Sequence, residues 1–230
     1  MKRFTLLTIL YTLLSINVLA QIGEYRRDLA IGINGGYALS QISFSPHVNQ
    51  KMHGGITMGL TARYTCEKYF SMICAIQGEV NFAQLGWTED ITTSTDTYKR
   101  DINYVQMPIL VNLGWGKERG GVKGYLVAGP HIGFCIGERE EKNGDFSGLS
   151  TKLTELHDKP IEKKFDYGIT FGLGMDVSTK KGHHFTLEGR YGLSLSNIFN
   201  ATKQDTFSRS ANNVITVKVA YLFDILKTRN

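Results

Sequence analysis

The stretch NYVQMPILVNLG, residues 103–114, decides how this chain is read. Val105, Met107, Ile109, Val111 and Leu113 are all apolar. Between them stand Tyr104, Gln106, Pro108, Leu110, Asn112 and Gly114, a mixed and partly polar set. Successive side chains of a strand point to opposite faces, so the segment predicts a strand with one uniformly apolar face. Its alternate positions are too polar for a membrane helix. A soluble sheet would turn such a face to its core. Here the pattern returns about eight times behind an export signal, which points to a barrel whose apolar face meets lipid.

Working outward from it, the first predicted strand, about 29–39, places Leu29, Ile31, Ile33, Tyr37 and Leu39 on one face. The second, 54–65, sets Ile56, Met58, Leu60, Ala62 and Tyr64 against Thr57, Gly59, Thr61 and Arg63. The third, 70–87, sets Cys74, Ile76, Val80 and Phe82 against Gln77, Glu79 and Asn81. The fifth, 122–137, is apolar on both faces, so its pattern does not fix a register. The sixth, 165–177, is clear again, with Tyr167, Ile169, Phe171, Leu173, Met175 and Val177 opposite Asp166, Thr170, Asp176 and three glycines. The seventh runs over 184–195 with Glu188 and Arg190 on its polar face, and the eighth over 214–223 with Lys218 on its polar face.

Connections alternate in length. Long polar ones fall at 40–53, 88–101, 138–164 and 198–212, and short ones at 66–69, 115–121 and 178–183. Long loops outside and short periplasmic turns are the habit of outer-membrane barrels. Strands of roughly ten residues cross a bilayer when tilted, and closure satisfies every backbone donor and acceptor in hydrocarbon. The expectation is an all-β, eight-stranded antiparallel up-and-down transmembrane β-barrel. Tyr37, Tyr64, Phe70, Phe82, Trp87, Tyr104, Phe165, Tyr167, Tyr191, Tyr221 and Phe223 lie near strand ends, where an interfacial aromatic girdle is expected.

Residues 1–20 read as a cleavable signal peptide. Lys2 and Arg3 are basic, residues 4–20 are uncharged and rich in Leu and Ile, and Val18-Leu19-Ala20 fits a cleavage site before Gln21. The barrel domain then spans 21–230, in the outer membrane, with its lipid bilayer as the first partner. Removing two basic residues lowers the formal charge from +5 to +3, which gives no reason to invoke nucleic acid. Glycine is frequent (25 residues) and proline scarce (4), which suits many strands with close backbone approach. Cys66, Cys74 and Cys135 make an odd, irregular set, neither a disulfide framework nor a zinc signature. Cys66 and Cys74 flank a turn and could pair in an oxidising compartment; unpaired small hydrophobes are the simpler expectation.

An eight-stranded barrel has room inside for little beyond its own side chains. The inward set contains Arg63, Glu79, Gln106, Asp166, Asp176, Glu188, Arg190 and Lys218, with three bases and four acids. Unpaired charges there would each cost several kcal/mol, so an internal ion-pair plug is expected, ahead of a narrow passage for water or ions. Arg63 with Glu79, and Glu188 with Arg190, are the expected contacts. His131, His184 and Ser194 form no nucleophile motif. His183-His184 reads as a solvated turn beside Lys180 and Lys181, because adjacent strand residues point opposite ways. No phosphate loop, metal spacing or nucleophile elbow is present, so no enzyme, cofactor or metal is expected. The longest loop, 138–164, carries the charged run EREEKNGD and a stretch, STKLTELHDKP, compatible with a short helix bearing Leu153 and Leu156. It is the natural surface for envelope or secretion proteins.

Several short motifs carry a family resemblance. Residues 104–110, YVQMPIL, are similar to the tyrosine–aliphatic–acidic–aliphatic–proline segment of the PorT-like outer-membrane β-barrel family of Bacteroidota. Gly129-Pro130-His131-Ile132-Gly133 resembles its glycine–proline element, DYGITFGLGMDV its glycine-alternating strand, and Glu188-Gly189-Arg190-Tyr191-Gly192-Leu193 its acidic–x–arginine–tyrosine strand, followed by Asn197-Ile198. Gln106 departs from the pattern, since the family often has Glu there. The resemblance covers essentially all of the mature chain and implies a barrel fold. The namesake takes part in type IX protein secretion, so an accessory role in secretion is an alternative to a structural one.

Overall fold

The structure, a computed structural model, describes residues 23–89, 97–143, 157, 159–200 and 208–228. The signal segment and the stretch with Leu153 and Leu156 lie outside the described residues. Nine strands follow in order: β1 (Glu24–Ser45), β2 (Gln50–Lys51), β3 (His53–Tyr69), β4 (Met72–Glu89), β5 (Thr97–Gly116), β6 (Gly121–Asn143), β7 (Phe165–Ser178), β8 (His183–Ser194) and β9 (Arg209–Leu226). Each long strand pairs antiparallel with the next, β4 pairs β5, and β9 returns to β1, so eight long strands close a ring. The two-residue β2 lies on the end of β4, where Gln50 meets Glu89.

Closure is tight because small residues face inward at the seam between the first and last strands. A Cβ on Gly32 would stand 1.8 Å from the Tyr221 carbonyl oxygen, and one on Gly36 2.1 Å from that of Val217. Proline leaves its mark as well. Pro108 has no N–H to donate, and the β4–β5 ladder skips from Gly78↔Ile109 to Asn81↔Gln106. The β5–β6 ladder likewise skips from Pro108↔His131 to Val111↔Ala128, opposite Pro130.

Outward residues form a continuous apolar band, with Ile33, Leu60, Val80, Ile109, Leu173 and Val219 all exposed. The fifth predicted strand, whose register the pattern leaves open, resolves as β6 with Val122, Leu126, Ile132 and Phe134 outward and Lys123, Tyr125, Val127 and His131 buried inside. Four strands run five or six residues further than expected at the loop end. β1 continues to Ser45, β5 begins at Thr97, β6 reaches Asn143 and β9 begins at Arg209. Residues expected as loop at 40–45, 97–101, 138–143 and 209–212 are therefore strand. The turn of the β3–β4 hairpin lies between Tyr69 and Met72, not at 66–69.

Polarity inverts in these extensions without any change of phase. Along β4, Gln77, Glu79 and Asn81 are buried while Ile76 and Val80 face out; beyond Phe82, the buried residues are Ala83, Leu85 and Trp87. Along β5, Tyr98, Ile102 and Tyr104 are buried, while Ile109 and Val111 on the other face are exposed. Trp87 and Tyr104 thus leave the expected aromatic girdle and point inward, each 0 % exposed. The barrel has a polar middle inside an apolar wall, and above it a stub built like a soluble protein, apolar within and polar without.

Candidate functional site

The middle of the lumen is organised on Glu79. Its carboxylate accepts two hydrogen bonds from Arg190 (2.5 and 3.0 Å), one from Lys218 (2.7 Å), one from Gln77 Nε2 (2.8 Å) and one from Asn81 Nδ2 (2.8 Å). Arg190 also donates through Nε to Glu188, whose other oxygen accepts from the Tyr125 hydroxyl at 2.9 Å. Bidentate guanidinium–carboxylate pairing of this kind is the strongest ionic geometry available to side chains. Asn34 extends the net to β1, donating to Thr61 and to Asn81.

Gln77 Oε1 accepts from Arg63 Nε (3.1 Å) and from Asn112 (3.2 Å), linking this cluster to a second one nearer the turns. There Asp176 accepts from Arg63 Nη1 at 2.8 Å, and Lys123 Nζ lies 3.4 Å away. His184 faces Asp176 with Nδ1 (3.1 Å) and Asp224 with Nε2 (3.1 Å). Every long strand contributes to the combined network. Two cavities flank its central layer: one of about 50 Å³ on the loop side, lined by Gln106, His131, Thr170, Arg190, Ser194 and Lys218 among others, and one of about 20 Å³ on the turn side, beside Arg63 and His184.

Of the eight residues singled out from sequence, Glu79, Glu188, Arg190 and Lys218 come together, and Arg63 with Asp176 forms the second cluster. Asp166 stands apart near the loop end, accepting from Ser194 (2.8 Å) and Ser196, with His131 Nε2 3.9 Å away. Gln106 lines the larger cavity and makes no hydrogen bond among the described residues. Two expectations change. Arg63 reaches across the lumen to Asp176 rather than to Glu79 on its neighbouring strand. His184 is not a solvated turn residue but is buried between two carboxylates; only His183 turns outward, against the Tyr221 ring. The Ser194 hydroxyl serves Asp166, and His131 Nδ1 meets Thr170 at 2.9 Å, so among the described residues no Ser hydroxyl is hydrogen-bonded to a His ring. No metal-binding cluster occurs among them either, and all three cysteines are unpaired.

The apolar stub above the network was not anticipated. Ile42, Phe44, Leu85, Trp87, Tyr98 and Ile102 form its walls, and Ile161, Ile198 and Phe199 from the two last long connections fill its mouth. Those connections are tied together: Lys163 N donates to the Ile198 carbonyl (3.0 Å) and Asn200 N to Glu162 (2.6 Å). The His157 ring stacks on Tyr98 with centroids 3.8 Å apart, and its Nε2 lies 2.9 Å from Glu89. Arg100 ties the same loop to the end of β6, pairing with Glu138 and Glu140 of that strand and donating to the Lys159 carbonyl. At the rim, His53 Nε2 lies 2.9 Å from Asp101 without hydrogen-bond alignment. Burial pushes this imidazole below its ordinary value, against the pull of Asp101.

No curated protein sequence matches the chain. Among solved structures it is similar to the outer membrane protein OprG of Pseudomonas aeruginosa, at TM-score 0.50 and 11% identity, covering 88% of this chain and 98% of that one. Ail, the attachment invasion locus protein of Yersinia pestis (TM-score 0.36, 15% identity, 87% and 99% covered), and Neisserial surface protein A (0.40, 12%, 84% and 95%) are more distant likenesses. The OprG likeness speaks to fold alone. A family model, described as outer membrane protein beta-barrel domain, matches residues 19–200, well over half of the sequence. Closed ring, outward apolar band and family model agree, and the chain belongs to the outer membrane protein beta-barrel domain family.

Proposed function

We propose that this protein is an integral outer-membrane barrel with a structural or interaction role, non-enzymatic, whose lumen is held shut in its middle by an ion network and at its loop end by an apolar plug. The observation that carries the reading is the continuous network on Glu79, reached by side chains from all round the wall. The cavities beside it, about 50 and 20 Å³, have room for about three waters and about one. Above them sits a dry apolar plug, which no hydrated ion crosses cheaply. Six of the eight inward residues read from sequence, Arg63, Glu79, Asp176, Glu188, Arg190 and Lys218, act here as locks rather than as a conduction path.

The finer kinship with PorT-like barrels rests on the motifs around Pro108, Pro130 and Arg190. Cleavage of residues 1–20 before insertion, and docking of envelope or secretion proteins on the 138–164 connection, belong to the same reading. Its described part presents Arg139 and Glu141 to solvent. Planar-bilayer recording of the full barrel tests closure. The reading expects a silent membrane at physiological salt, and a steady conductance from the unaltered protein would replace it with a narrow channel. Co-purification separates the roles: recovery with export components, together with loss of cargo secretion on deletion, would favour the secretion accessory.

A further inference from the structure

The β3–β4 hairpin carries two of the three cysteines, and its ladder is irregular where they lie. Thr65 pairs with Ala75, Glu67 with Cys74, and Lys68 with Ile73. Cys66 is the extra residue, so Cys66 and Glu67 of β3 together oppose Cys74 of β4.

The facing of each side chain follows from its neighbours. Ile73 and Ala75 are buried in the barrel, so Cys74 between them points outward. Thr65, opposite Ala75, faces inward and turns Cys66 outward. Lys68, opposite Ile73, faces inward too, where its ammonium lies 3.9 Å from Glu118 across the mouth. The bulge therefore sets both thiols on the same outer face of adjacent strands. Opposed residues on neighbouring strands have Cβ atoms about 4.5–5.5 Å apart, and a disulfide needs about 3.5–4.5 Å, so a small pinch of a bulge closes the gap.

Neither sulfur is committed elsewhere. Cys66 makes one long contact, 3.7 Å to the Tyr64 carbonyl of its own strand, and Cys74 makes no hydrogen bond among the described residues. Glu67 on the same face marks this hairpin end as lying beyond the apolar band. Burial pushes both thiols up, and a charge on Cys66 further disfavours one on Cys74. Cys135 is no competitor, because it pairs with Tyr104 at the loop end of the barrel.

We propose that Cys66 and Cys74 form a cross-strand disulfide over this bulge once the exported chain folds. A disulfide-carrying protein of the envelope supplies the oxidant. One cysteine thiolate attacks its disulfide, giving a mixed disulfide and releasing one carrier thiol. The second cysteine displaces the carrier, which leaves as a dithiol with the two electrons and two protons. With both thiols held protonated, the exchange is slow unless a carrier drives it.

The test is thiol counting on the full barrel purified from outer membranes, denatured in a maleimide without reductant and weighed intact. One adduct is expected, on Cys135, rising to three when reductant precedes the label. Peptide mapping should find the segments containing Cys66 and Cys74 linked. The Cys66→Ser variant should take two adducts with or without reductant. Three adducts on the unreduced protein, or a linkage through Cys135 or between chains, overturns the proposal. Because the sample is taken from the membrane, three free thiols there would sink the disulfide while leaving the barrel reading intact.

Discussion

At the residue scale, Arg190 is the side chain on which the interior turns. It neutralises Glu79 and Glu188 at once, and both carboxylates are buried. Removing one partner of a buried ion pair strands the other, at about 3–5 kcal/mol. Arg190→Ala should therefore lower barrel stability by about that amount, measured as the urea midpoint for loss of the folded band on a gel. His53 supplies a pH dependence at the rim. Its folded value is depressed by burial, so the unfolded rim binds more protons. The stability it contributes is complete above about pH 6.5 and is lost as pH falls through the lowered folded value. In a Trp115→Phe background, Trp87 fluorescence should report loosening of the stub on acidification, and His53→Gln should flatten that response. The residues of the network were largely legible from alternation, because a charged side chain on the polar face of a strand has nowhere else to go. Their partners were not. Arg63 skips its neighbour for Asp176 because a lumen is narrow enough to be crossed, a distance no strand pattern encodes. Lys123 was missed because β6 is apolar on both faces, and His184 because it is only the second residue of β8, beside the turn.

At the element scale, the inversion of polarity along β1, β4 and β5 marks the membrane edge. Below it, apolar side chains face lipid; above it, Ile42, Leu85 and Ile102 on the inner face form a core. A reading that assigns every apolar residue to the outside assigns Trp87 and Tyr104 wrongly, for that reason alone. The signal was present in the sequence: polar Gln84, Thr88, Lys99 and Asp101 take the outer phase where Val80 and Ile109 had held it. Phe199 is the largest side chain inserted by the described loop residues, stacked near Phe44 at 6.4 Å. Phe199→Ala should cost the stub about 3–5 kcal/mol, and limited proteolysis should then cut the 159–164 segment in folded protein that otherwise resists. The seam between β1 and β9 makes a separate demand. At Gly32 a side chain would meet backbone, which cannot rotate away. Gly32→Val should abolish the compact folded band, whereas Gly78→Ala, where a Cβ meets nothing within 4 Å, should leave it unchanged.

At the scale of the whole molecule, the barrel is inside-out in its middle and ordinary at its top. Strand number, up-and-down order and the alternation of long and short connections were all legible, since each follows from period-two patterning and turn spacing. The extra reach of four strands was not, because above the membrane polar outer faces resemble loop. The central claim is that the apolar band faces lipid around a closed ring. It is tested most directly by fractionating membranes and running the protein on a gel, unboiled against boiled. A closed barrel in lipid should give a band in the outer-membrane fraction that migrates differently after boiling. A soluble band with no shift would contradict it, and would make the outward faces of β3, β7 and β9 surfaces buried against something other than lipid.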